Sequence, residues 1–258
     1  MEETGKNPIQ VAERLFQVIE RLAENGPMGI MDLSAELGFH KSTTHRLVTS
    51  LQYMGYIRQD EESLKSALSL KFLEIGGKIL EQTNMASLIH PSLKKLSEQT
   101  GETVHLVRRE GTEAVYIDKV ESTVSSIRMV SRVGSRIPLY CSGVGKALLA
   151  ELPDPEIEDI WNSSEITPLT PYTVTSLSDL MDRIRGVREA GFAMDDEENE
   201  EGVRCIAVSI PDYHKEPVYA LSISAPVSRM TDARIAELST DVLTFKKDLE
   251  KTLGFSRS

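Results

Sequence analysis

The sequence predicts an α+β protein in two parts: a small N-terminal unit of short helices with a β-return, then a larger α/β unit around a mainly antiparallel sheet. Three observations carry this. Up to residue 55, apolar residues recur at a helical period, and the runs are cut by Asn25-Gly26, Gly38 and Gly55. From residue 103 the texture changes to short runs rich in Val, Ile and Thr, separated by polar or Gly-containing turns. Strands followed by mixed helices and strands suit one sheet with helices laid on it. With 258 residues, 40% of them apolar, the chain is long enough to bury a core in each part.

Asn7-Pro8 reads as a helix start, Asn as cap and Pro where its missing N–H costs nothing. Val11, Leu15, Val18, Ile19 and Leu22 continue that helix to Asn25-Gly26. A second helix fits Met31 to Leu37, and a third runs from about His40 to Met54. On the third, Thr44, Leu47, Val48 and Leu51 fall within roughly 100° of one another and face a core. Ser42, His45, Arg46, Thr49 and Tyr53 lie opposite. With the tight turn at Gly38 and the return after "GYIRQD", this is the pattern of a winged helix-turn-helix. A further helix is expected over Leu68–Glu81. Strands follow at 103–109, 113–120 and 125–131, helices at 143–152, 154–161 and 176–190, strands at 203–210 and 217–225, and a last helix at 231–253. The domain limits expected are 1–67, a linker helix over 68–82, and 83–258.

Net charge is −11, yet residues 37–57, "LGFHKSTTHRLVTSLQYMGYI", contain no Asp or Glu. An acidic protein repels nucleic acid on average, so contact with DNA must come from a local patch. This window is such a patch, basic and hydroxylic on its outer face. Other classes are disfavoured. No run approaches the ~18 apolar residues of a membrane span, and the polar start "MEETGKNPIQ" is no secretory signal. Two cysteines, Cys141 and Cys205, fit a reducing cytoplasm. "CSGVGKALLA" lacks a phosphate-loop pattern, having Tyr140 and Ala147 where Gly and Ser or Thr are needed. Ser142 there can still cap a helix whose first N–H groups would favour an anion. The acidic run "DDEENEE" at 195–201 has no calcium-loop spacing. His40, His45, His90, His105 and His214 are scattered and give no metal cluster and no Cys–His pair.

Taken together, "LGFHKSTTHRLVTSLQYMGYI", "RIPLYCSGVGKALLA", "GFAMDDEENEEGVRCIAV" and "LSISAPVSRMT" resemble the IclR family of bacterial transcriptional regulators, nearest its KdgR-like branch. The resemblance spans nearly the whole chain, in the family's order. It implies a DNA-binding domain, a linker helix, an effector-binding domain, and self-association as a dimer or tetramer. Two departures stand out. Ser66-Ala67 replaces the Tyr-Arg many relatives carry on the wing's return strand, and Met31 stands where a Ser or Thr usually caps the second helix.

The expected DNA contacts are then Lys41, Ser42 and Thr43 on phosphate, His45 and Arg46 towards base edges, Thr49 on the same outer face, and Tyr56 and Arg58 on the wing. Ser222 and Ser224, two apart in a strand, share a face. The resemblance places them with Ile137, Gly143, Val144, Asp195 and Cys205 in an effector pocket. Gly143 and Val144 would hold the carboxylate. Of the acidic run it selects Asp195 alone, leaving Asp196, Glu197, Glu198, Glu200 and Glu201 in water. The reading is a repressor of a catabolic operon, bound to double-stranded operator DNA and controlled by a 2-oxo acid or sugar acid such as 2-keto-3-deoxygluconate. No cofactor, metal or catalytic residue is expected. The alternative is an α+β hydrolase using Cys141 or Cys205.

Overall fold

The structure, a computed structural model, describes residues 8–82, 85–122, 131–212 and 214–253. It divides into two compact units, Met1–Thr83 and Asn84–Ser258.

In the first unit, α1 (Gln10–Asn25), α2 (Ile30–Leu37) and α3 (Lys41–Tyr53) surround one core. Val18 and Leu22 from α1, Leu33 from α2, and Leu47, Val48 and Leu51 from α3 meet Met28 and Ile57 there. Thr44 completes the α3 stripe, fully buried, its hydroxyl 3.5 Å from the His40 carbonyl. Gly38 takes a left-handed conformation (φ 65°) that ends α2 and lets the chain turn into α3. Strands β1 (Ile57–Gln59) and β2 (Ser66–Leu68) pair antiparallel as the wing.

Several boundaries differ from expectation. Asn7 lies outside the described residues, and α1 starts at Gln10 with no side-chain cap. Gly29, not Met31, occupies the cap position of α2, and Met31 is an exposed first-turn residue. The helix expected from Leu68 begins later, as α4 (Lys71–Gln82), because Leu68 closes the wing. Ser69 then folds back, its hydroxyl donating to the Gly55 carbonyl at 2.5 Å, and Lys71 Nζ donates to the Met54 carbonyl at 2.7 Å.

The second unit opens with α5 (Met85–Thr100), a helix the sequence reading did not foresee. Pro91 sits within it and reads as a breaker. Burial of Ile89, Leu93 and Leu96 against the sheet overrides that local signal. There follow β3 (Thr103–Glu110), β4 (Glu113–Val120), β5 (Arg136–Pro138), α6 (Gly143–Leu149), α7 (Asp154–Asn162), α8 (Leu177–Ala190), β6 (Ala193–Asp196), β7 (Val203–Ile210), β8 (Tyr219–Pro226) and α9 (Asp232–Thr252). The strand expected at 125–131 falls on residues outside the described set, apart from Ser131, which is not in a strand. The unforeseen β5 and β6 are too short to display an alternation of their own.

Six strands make one sheet, β5-β4-β3-β8-β7-β6, with every neighbouring pair antiparallel. Strand alternation sends Val104, Leu106, Ile206 and Ile223 to one face, where α5 and α9 cover them. The opposite face carries Val107, Ala207 and Ala220 beneath α6, α7 and α8. Small residues there let α6 approach closely. A Cβ on Gly145 would lie 2.1 Å from the Leu139 carbonyl oxygen, and one on Gly143 2.7 Å from Cys205 Sγ. The backbone contact requires glycine at 145, whereas a side chain at 143 would have to displace the Cys205 thiol.

Candidate functional site

Two surfaces collect the residues singled out in the sequence. The first is the outer side of α3. Lys41, Ser42, His45, Arg46 and Thr49 are exposed and Thr43 is half-buried. His40, Lys41, Ser42, His45 and Arg46 line one shallow depression. No side chain caps α3, so its first N–H groups point outward beside Lys41 and Ser42, where an anion would meet them. His45 Nδ1 lies 3.5 Å from the Thr49 hydroxyl.

The wing differs in character. Arg58 is exposed on β1, but the tip beyond it is Asp60-Glu61-Glu62, with Asp60 Oδ1 accepting from the Ser63 N–H and hydroxyl at 2.7 Å each. Those hydrogen bonds hold the Asp60 carboxyl below the usual carboxylate range. Tyr56 is half-buried, its ring 5.2 Å from Phe72, with Lys71 Nζ 4.2 Å from its centroid. Positive charge is thus presented by α3, while Tyr56 is engaged with the start of α4.

The second site is a cavity on the α6 face of the sheet. All seven expected effector residues line it: Ile137, Gly143, Val144, Asp195, Cys205, Ser222 and Ser224. Register explains the gathering. Asp195 lies opposite Cys205 and Cys205 opposite Ser224, while His105 lies opposite Ser222 in the adjacent row, so two neighbouring rows on one face gather these side chains across four strands. The cavity measures about 40 Å³, room for roughly three ordered waters. Ser142 caps α6 as expected, accepting from the Gly145 N–H at 3.1 Å and donating to the Pro138 carbonyl at 2.6 Å.

Sequence reasoning missed the groups that set the electrostatics. Lys146, 1% exposed, is ion-paired to Glu198, which is 3% exposed. Glu198 was expected in water. Instead the turn after β6 folds inward, with Asp195 Oδ1 accepting from the N–H groups of Glu198 (2.8 Å) and Asn199 (3.4 Å). Glu200 also borders the cavity, against the same expectation, whereas Asp196 and Glu201 are exposed. Burial pushes the Asp195 carboxyl up to about 7, opposed by Lys146 and reinforced by Glu198. Burial and the nearby Asp195 drive the Cys205 thiol far up, and burial takes Cys141 to about 12. Both cysteines are free and buried. A nucleophilic cysteine needs its thiolate at neutral pH, and this surrounding opposes it.

His105 and Tyr116 also line the cavity. His105 Nε2 lies 2.7 Å from the Ser131 hydroxyl, and Nδ1 lies 3.4 Å from the hydroxyls of both Ser222 and Ser224. Burial, then Lys119, lowers the imidazole to about 3, so it is neutral. Among the described residues no cluster of His, Cys, Asp and Glu could hold a metal ion, and no helix is long and apolar enough to cross a membrane.

A winged helix-turn-helix followed by an antiparallel sheet domain with a small polar cavity is the build of a ligand-responsive DNA-binding regulator. The description "IclR helix-turn-helix domain" matches residues 11–61, and "Bacterial transcriptional regulator IclR C-terminal" matches residues 77–250. The chain is 35% identical to the acetate operon repressor of Salmonella typhimurium, over 96% of this chain and 92% of that one. It is 34% identical to the transcriptional regulator KdgR of Escherichia coli, over 97% and 95%. The crystal structure of Thermotoga maritima IclR covers 95% of this chain and 99% of its own, with a TM-score of 0.64 at 30% identity. The chain belongs to the IclR family of bacterial transcriptional regulators, which bind DNA operators and small-molecule effectors.

Proposed function

We propose that this regulator represses a catabolic operon from the cytoplasm, binding its operator as a dimer or tetramer through α3 and releasing it under control of a small carboxylate. One observation carries the reading: Ile137, Gly143, Val144, Asp195, Cys205, Ser222 and Ser224, drawn from five separate stretches of sequence, line a single cavity. The relatives named above are a repressor of the acetate operon and the regulator KdgR. The cavity's hydroxyl, carboxyl and backbone N–H groups suit a small carboxylate that carries further oxygens, a 2-oxo or hydroxy acid. The effector acts by binding one arrangement of the regulator better than another, and only that difference in affinity can change the fit to DNA.

A thermal-shift screen of short 2-oxo acids, sugar acids and aromatic acids tests the pocket. At about 100 times its dissociation constant, a true effector stabilises the folded state by ~2.7 kcal/mol. That corresponds to a rise of roughly 5–10 °C for a unit of this size. The double substitution Ser222→Ala with Ser224→Ala should abolish most of that rise, because a buried ligand oxygen without its partner costs ~1–3 kcal/mol. An undiminished shift places the effector elsewhere.

On the DNA side, Arg46→Ala should weaken operator binding by about 1–3 kcal/mol and binding to random DNA by much less. Lys41→Ala should weaken both alike and flatten the salt dependence by about one unit of slope. Mobility shifts at several salt concentrations separate the two roles. Equal losses on both DNAs for Arg46→Ala would make it a phosphate contact.

A further inference from the structure

We propose that His105 is a specificity-determining residue of the α6-face cavity, selecting monocarboxylates that carry a neutral hydroxyl or oxo oxygen over apolar acids of the same size. This rests on the reading of that cavity as the effector site. The argument starts from hydrogen-bond capacity. A neutral imidazole has one N–H donor and one lone-pair acceptor. Nε2 is committed to the Ser131 hydroxyl at 2.7 Å. Nδ1 faces two hydroxyls, Ser222 and Ser224, at 3.4 Å each, and these are themselves 3.4 Å apart. All three separations lie beyond the ordinary 2.7–3.2 Å range, so the hydrogen bonds within this almost wholly buried trio are long.

An oxygen entering among Nδ1 and the two hydroxyls offers them a partner at ordinary distance, whether it comes as a hydroxyl or as a carbonyl. A methyl or methylene at the same point keeps water out and leaves them only their long mutual bonds. The imidazole does not become an anion receptor, since burial and Lys119 hold it neutral with a pKa of about 3. Nor is Lys146 available for a second carboxylate, because Glu198 already occupies it. This end of the cavity is therefore polar and uncharged. Its fixed geometry follows from strand register, His105 standing directly opposite Ser222 in the β3–β8 pairing.

The test compares lactate and pyruvate with propionate, three-carbon acids differing at C2, by calorimetric titration of the full chain. The wild type should prefer lactate or pyruvate to propionate by tenfold or more. His105→Leu should bring that ratio to about one, chiefly by weakening the oxygenated acids. His105→Asn, whose amide sits near the position of Nδ1, should keep the preference; His105→Gln, which reaches towards Ser131, should lose it. The Asn–Gln contrast decides the matter even if the Leu variant does not fold. A preference unchanged in His105→Gln, or equally lost in His105→Asn and His105→Gln, overturns the assignment of His105 alone. If none of the three acids binds the wild type, the short-acid reading of the cavity fails, and this proposal with it.

Discussion

Glu198→Ala should destabilise the C-terminal unit by about 3–5 kcal/mol, the usual cost of removing one partner from a buried ion pair. Lys146 and Glu198 have side chains 1% and 4% exposed, and Lys146 lies in a helix whose neighbours Ala147, Leu148 and Leu149 are core residues. Deleting the carboxylate strands an ammonium in dry surroundings. The pair is not optimal even in the wild type, since Glu198 Oε2 is buried with no hydrogen-bond partner. The double variant Lys146→Met with Glu198→Leu should therefore recover most of the loss, because an apolar pair of similar volume is often as stable. Urea denaturation of the single and double variants measures both quantities. A loss below ~1 kcal/mol for Glu198→Ala would give the pair the worth of a solvated one.

The pair also shows where reading from sequence stops. Helix ends written in Gly38 and Gly55, the Ser142 cap and the Thr44–Leu51 stripe are local signals, and each lies where its chemistry requires. The alternation of Ser222 and Ser224 is local too. Helix α5 escaped because Pro91 disguises it, its cause being burial against a sheet that sequence cannot locate. Within "DDEENEE" six residues carry the same charge, and nothing local says which turns inward. That depends on the bend after β6, where Glu197 takes a positive φ of 62° and Asp195 captures the next turn's N–H groups. The one available hint was Lys146 itself, a cation in the apolar helix run "VGKALLA", which calls for a hidden acid. His105 needed more, since only the β3–β8 register sets it against Ser222.

Asp195→Asn should stabilise the C-terminal unit at pH 8 and remove a pH dependence that the wild type shows between about 4 and 7. Burial raises this carboxyl from its ordinary 3.8 to about 7, with Glu198 reinforcing and Lys146 opposing. The folded state therefore holds the proton more tightly than the unfolded chain. Its contribution to stability is complete below about pH 4, declines as pH rises through 4 to 7, and is lost above. The span from 3.8 to about 7 corresponds to a total on the order of 4 kcal/mol. Asparagine keeps the carbonyl oxygen that accepts from the Glu198 and Asn199 N–H groups and never ionises, so the two proteins should be equally stable near pH 4 and diverge above it. Urea midpoints at half-unit steps from pH 4 to 8 measure this directly, and parallel curves would show that Asp195 ionises without penalty. The same proton bears on the effector. With Glu198 and Lys146 cancelling, an ionised Asp195 adds a negative charge to a cavity wall that Glu200 also borders, which opposes an incoming carboxylate. Binding to the wild type should therefore weaken by up to tenfold per pH unit above about 7, while binding to Asp195→Asn, wherever it survives the substitution, should stay flat over the same range.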